Sequence, residues 1–171
     1  MPEFISLISN GNVRWALCGV LLVLAGCVSP PFSSKGVATD LSPNSTLEAG
    51  ADEVGTQVMW AGVIVSSTNV EDGSQLELLT YPLDYLQRPD ESRRATGRVL
   101  VHSPEYLETV DFAARRRATV LGRFAGVVDA TVGETSRELP LLDEAQIHLW
   151  TAEEYHHSRA FSVGIGISIS N

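Results

Sequence analysis

The chain has 171 residues, and its 21 acidic against 12 basic side chains leave a formal net charge of −9. That balance excludes the strongly basic face a nucleic-acid binder needs. It also gives no attraction to anionic lipid headgroups, so any membrane attachment must come from apolar anchoring. The two cysteines are Cys18 and Cys27. If the segment before Cys27 is removed and Cys27 is modified, the rest of the chain has neither a disulfide nor thiolate chemistry.

An apolar run extends from Trp15 to about Val28. It is shorter than the roughly 20 residues that span a bilayer, and it suits the apolar region of a secretory signal. It ends in Leu24-Ala25-Gly26-Cys27, which resembles the lipobox of bacterial lipoproteins. The alternative is a buried helix or strand with an incidental cysteine. The resemblance implies cleavage before Cys27, a diacylglycerol on its thiol and an acylated new N-terminus. At about 0.8 kcal/mol per buried CH₂, two or more chains make a stable anchor. Val28 follows the cysteine where an Asp favours inner-membrane retention in such lipoproteins, so the outer membrane is expected.

Residues 28–53 are rich in Pro, Ser, Thr, Gly and Asp and lack apolar periodicity. They read as a flexible linker, with a short helix near 46–54 as the alternative. The expected division is a signal peptide at 1–26, the lipidated cysteine and linker at 27–53, a domain at 54–150 and a tail at 151–171.

From Gln57 the texture becomes that of strands. "QVMWAGVIVSS" is apolar on both faces, as in a buried strand, and Gly62 inside it marks a bend or a close backbone approach. "NVEDGS" is a turn with Asp72-Gly73 at its tip. "QLELLTYPLDYL" is a second strand, with Pro82 at a bulge or end, and "GRVLVH" is a third. "SPEYLETVDFA" predicts a helix over 103–113, capped by Ser103 with Pro104 at its first position. "RRRATVLGRFAGVV" is a fourth strand, "DATVGETSR" a turn, and "ELPLLDEAQIHLW" the last strand or pair of strands. The predicted fold is therefore all-β with little helix: a five- to six-stranded OB-like barrel with one short helix, a small β-sandwich being the alternative.

"MWAGVIV", "LELLTYPLD", "GRVLV", "TVLGRFAGVV", Gly133-Glu134 and "IHLW", in this order and behind a lipobox, resemble the Slp family of starvation-inducible outer membrane lipoproteins. The likeness covers about residues 54–150. It implies a lipid-anchored protein of the Gram-negative outer membrane, in some members linked to stress, with no catalytic residues to transfer. The tail "FSVGIGISIS" reads as an edge strand, as a segment that packs on a partner, or as disordered chain.

Several residue groups carry candidate chemistry. Glu153, Glu154, His156 and His157, with His102 and His148 elsewhere, are metal-ligand types, but adjacent histidines in an extended tail diverge. A solvated tail is the preferred reading. Arg93-Arg94 and Arg115 to Arg117 are basic islands suited to phosphate or anionic glycans, or else ordinary solvated positions near a helix end. Ser103, His102 and Asp111 form a triad only on paper, since Ser103 is better used as a cap, and no nucleophile elbow, Walker loop or zincin motif occurs. Trp60, Tyr81 and Tyr85 can stack on a sugar ring, though core or rim positions are the commoner fate. In an OB barrel the loops around 69–73 and 129–137 would flank a ligand face.

The expectation is a non-catalytic structural or interaction protein of the outer membrane, anchored through Cys27 and facing the periplasm. It needs no cofactor or metal, binds no nucleic acid, and meets an envelope protein or glycan. The alternative is a binding module for a small cationic or glycan ligand.

Overall fold

A computed structural model describes residues 29–132 and 135–157. The signal segment, Cys27, the Gly133-Glu134 turn and the tail beyond 157 lie outside the described residues. Five strands carry the fold: β1 (Gln57–Val70), β2 (Gly73–Tyr81), β3 (Gly97–Ser103), β4 (Arg117–Val132) and β5 (Thr135–Trp150). They pair in the order β1-β2-β3-β5-β4 and close back onto β1. All neighbours are antiparallel except β3 and β5, which run parallel through Leu100↔Leu141 and Val101↔Leu142. The chain is all-β in its folded body, as its alternating pattern predicts.

That alternation fills the ring. Leu76 and Leu78 of β2, Val99 and Val101 of β3, Val120 and Phe124 of β4 and Leu142 of β5 are fully buried in one cluster with Val58, Trp60 and Ile64 of β1. The intervening Gln75, Arg98 and His102 stay at least partly exposed. Of the two readings of Gly62, the close approach is the one found: a Cβ there would sit 2.4 Å from the Leu79 carbonyl oxygen. The β1–β2 turn is one residue earlier than expected, because Val70 pairs with Gly73 and leaves Glu71-Asp72 at the tip.

Two expectations change. No helix forms over 103–113, where β3 runs on to Ser103 and irregular turns follow. Ser103 Oγ does accept the Glu105 N–H, as a cap would. The next groups are then drawn to the β1–β2 hairpin: Leu107 N–H donates to Ser74 Oγ at 2.8 Å and Tyr106 OH to the Glu71 carbonyl at 2.6 Å. A tertiary bond thus takes the Leu107 N–H that a helical turn would use, and the Tyr106 side chain ties the segment to the same hairpin.

The second change concerns the stretch read as tether. Its described part, from Phe32 onward, lies against the strand ring. Ala38 N–H donates to Gln57 O and bridges to Val58, and Trp60 Nε1–H donates to Leu41 O at 2.8 Å. A helix, α1 (Pro43–Ala49), follows, with Ser42 and Ser45 forming a reciprocal capping box and Pro43 in the first turn. Its Thr46 is fully buried. A 3-10 turn at Gly50–Glu53 leads into β1. A second short helix, α2 (Ala152–His157), follows β5.

Candidate functional site

The connection between β2 and β3, residues 82–96, is built around one carboxylate. Pro82 follows the last residue of β2, consistent with a side chain that lacks a ladder donor. Asp84 Oδ1 then accepts the Leu86 and Arg88 N–H groups, both at 2.9 Å. Its Oδ2 takes the Arg88 guanidinium at 2.8 and 2.6 Å. Arg88 is only 6% exposed, so this pairing neutralises a buried cation. Gln87, held at φ 67, turns its amide onto the N-terminal segment: it accepts the Phe32 N–H at 3.0 Å and donates to the Phe32 carbonyl at 2.8 Å.

Between this connection and residues 30–42 lies a cavity of about 520 Å³. Met59 and Trp60 are buried apolar parts of its lining, and Tyr81, Tyr85 and Arg93 join them. Tyr85 is 76% exposed. The structure thus adds Arg93, one residue of a basic island, to the three aromatics that the sequence offered as a stacking group. Trp60 belongs to the core and its N–H is bonded; among the described residues, the hydroxyls of Tyr81 and Tyr85 have no partner.

A second concavity of about 440 Å³ lies on the outer face of β2 and β3. The far arm of the β1–β2 hairpin supplies Ser66 and Thr68, the β4–β5 hairpin supplies Asp129 and Leu139, and Glu77 and Leu100 line the groove between them. Glu77 is nearly buried and pairs with Arg98.

The Glu153 to His157 segment forms a latch. Thr151 and Glu154 cap each other across the start of α2, and those bonds from Thr151 hold the Glu154 carboxyl below its usual range. Tyr155 is 6% exposed. Its ring lies 5.7 Å from the Arg88 guanidinium carbon and 4.1 Å from that of Arg117, within reach for cation–π attraction. Its hydroxyl donates to Pro89 O at 2.9 Å. Burial pushes the phenol pKa up.

The paper triad does not assemble. His102 Nδ1 lies 2.7 Å from Asp143 on β5, and its Nε2 is 3.5 Å from Asp72 at the β1–β2 tip. The second distance is too long for a good hydrogen bond, so that attraction is electrostatic. Ser103 is turned inward, 3% exposed. The hydrogen bond to Asp143 raises the His102 pKa above 6.5 against the opposing effect of burial, and the same bond lowers that of Asp143 below 3.8.

The stabilisation from His102 is therefore full below about 6.5 and lost as pH rises through the raised value. That from Asp143 is present above about 3.8 and lost as pH falls through the lowered one. In paired urea titrations, the stability gap between the wild type and His102→Gln should be widest near pH 5.5 and shrink toward pH 9. A gap that does not change with pH would mean that the bridge carries no charge.

Among the described residues, no group of three His, Cys, Asp or Glu side chains converges to hold a metal, and no helix is long and apolar enough to cross a membrane.

Residues 24–165 match the family model of the outer membrane lipoprotein Slp family. The chain belongs to the Slp family. A curated relative, the uncharacterized lipoprotein YeaY of Escherichia coli (strain K12), is 28% identical over 146 residues, covering 84% of this chain and 75% of the relative. No solved structure matches. The family match begins at Leu24 and takes in Cys27. Membership places this Slp chain among lipid-anchored outer membrane proteins.

Of the Slp chain's other basic residues, Arg117 is committed to Glu91 and Tyr155. Sequence reasoning missed Arg88, Gln87 and Tyr155 as organisers of the cavity wall. The available signal was the Thr151-x-x-Glu154 capping pattern, which marks a helix where a tail was expected.

Proposed function

We propose that this Slp chain is a non-catalytic module of the cell envelope, held by acyl chains on Cys27 at the periplasmic face of the outer membrane. There it meets protein or glycan partners, and its family resemblance points to use under starvation or stress. The observation that carries this reading is the clamp of Gln87 on Phe32. Only residues 28–31 lie between Cys27 and that clamp. Five residue steps reach at most about 18 Å, so the anchor would keep the strand ring close to the membrane. Confinement of this kind raises effective concentration for partners at the same surface.

Intact mass of the membrane-extracted protein tests it. Wild type should begin at an acylated Cys27, and Cys27→Ser should accumulate as an unprocessed precursor without acyl chains. Wild type with an intact N-terminus and a free Cys27 would end the proposal.

A second reading, a ligand-binding module, rests on the groove over β2 and β3. We read the strand ring as OB-type, and that face between the two hairpin arms is where such barrels take ligands. Asp129 and the acidic surroundings favour a cationic ligand there. Photocrosslinking from Thr68 in living cells separates the two readings: a dominant protein adduct supports an interaction role, and small-molecule adducts alone support the groove.

A further inference from the structure

The cavity between residues 30–42 and 82–96 contains polar groups that no described side chain uses. Among the described residues, the Arg93 guanidinium, the Asp40 carboxylate, the Thr39 hydroxyl and the hydroxyls of Tyr81 and Tyr85 have no side-chain hydrogen bond or ion pair, although all five residues line it. The rest of the lining mixes apolar side chains, of which Met59 and Trp60 are buried, with Ser34, Ser42, Asp84, Gln87 and Thr96, and Asp84 and Gln87 are already engaged within the protein. A volume of about 520 Å³ is within the range of small-ligand sites, which combine an apolar lining with a few convergent polar groups.

We propose that this cavity binds a pyranose ring bearing a phosphate or carboxylate. The apolar C–H face of the ring rests on Tyr85, whose exposure leaves its face open. The ring hydroxyls find Thr39, Asp40 and the Tyr81 hydroxyl, which supply both donors and acceptors. The anionic substituent meets Arg93, whose planar fork matches such groups in two-point fashion. Arg93, unpaired among the described residues, favours an anionic group, and the tyrosines that line the same cavity favour a ligand that also has a stacking face. This inference deepens the reading of the chain as a membrane-held envelope module. Envelope sugars of this kind come from two sources, the phosphorylated headgroup of a glycolipid and the carboxylate-bearing sugar of the cell wall.

The test uses full-length protein purified with its anchor, titrated by NMR with three sugars and one ion. These are the phosphate ester of N-acetylglucosamine, N-acetylmuramic acid, uncharged N-acetylglucosamine and inorganic phosphate. Saturable binding of either acidic sugar, with shifts at Tyr85 and Arg93, is expected. The phosphate ester binding more tightly points to the glycolipid, and the carboxylate to the cell wall.

Arg93→Gln should weaken the acidic sugar about tenfold or more and leave the uncharged one unchanged. Tyr85→Ala should weaken both by about two- to tenfold. Both side chains are exposed, so neither variant should unfold the protein. Equal binding of charged and uncharged sugar, phosphate binding as tightly as its sugar ester, or no binding at all overturns the proposal. Wild type that binds but carries no acyl chain would instead remove the anchor and leave the site standing.

Discussion

Asp84→Ala should lower the stability of this protein by about 3 kcal/mol, seen as an earlier urea midpoint with an unchanged slope. The carboxylate accepts two backbone N–H groups and two guanidinium N–H groups. Removing it takes from Arg88, whose side chain is 7% exposed, the carboxylate oxygen that accepts its two guanidinium N–H groups. Breaking a buried pair costs about 3–5 kcal/mol. The lower end applies because Asp84 is itself 23% exposed and because Arg88 keeps its bonds to the Glu154 and Tyr155 carbonyls.

The double variant Asp84→Ala, Arg88→Met should recover part of the loss, since the buried cation that Asp84 serves is gone. If it is as unstable as the single variant, the cost came from the two backbone bonds and not from the charge. Asp84→Ala should also lose sugar binding, because the same carboxylate holds the connection that carries Tyr85 and Arg93. Amide exchange should rise first at residues 84–91 and in α2, which docks on Arg88.

This coupling explains what could and could not be read from the sequence. The strands were legible because alternation in "QLELL" and "GRVLV" assigns Leu76, Leu78, Val99 and Val101 to one face without any knowledge of the partner strand. Family membership was legible from the same motifs. Two local signals failed in opposite directions.

Ser103-Pro104-Glu105 has the composition of a helix start, and the first cap-like bond does form. The hairpin's Ser74 and Glu71 then capture the following groups. Ser42-Pro43 and Ser45 have a similar composition, but lay in a stretch whose Pro and Ser content reads as tether. There the helix forms and Thr46 is buried. Composition describes the free chain, and the docking surface decides the outcome.

The cavity was legible only in its parts. Trp60 comes from β1, Tyr81 from the end of β2, Tyr85 and Arg93 from the connection, and Thr39 and Asp40 from the docked segment. No spacing rule links positions so far apart. Tyr155 was hidden for a related reason: its ring is held by Arg88 and Arg117, both distant in sequence.

Phe124→Ala should be the most damaging single substitution in the ring, at about 3–5 kcal/mol. Phe124 is fully buried and sits between two register shifts of β4, at Leu121/Arg123 and Phe124/Gly126. Both its backbone groups are held by residues 55–56, its C=O accepting from Gly55 N at 2.8 Å and its N–H donating to Thr56 O at 2.9 Å. The site therefore cannot collapse around a smaller side chain, and an unfilled cavity places the cost toward the upper end. Beyond Phe124, β4 pairs with β5 and no longer with β1, and β5 meets β3 through only two residue pairs.

The β3–β5 seam should be the first part of the ring to open when Phe124 is removed, and amide exchange at Leu141 and Leu142 should accelerate before that of Leu76 and Leu78. Uniform acceleration across all five strands would show instead that the ring opens as one unit. Below its unfolding transition, Phe124→Ala should still bind the acidic sugar, because the cavity walls come from β1, β2 and the two docked segments. Asp84→Ala should not. The contrast separates damage to the barrel from damage to the site, which a single destabilised variant cannot do.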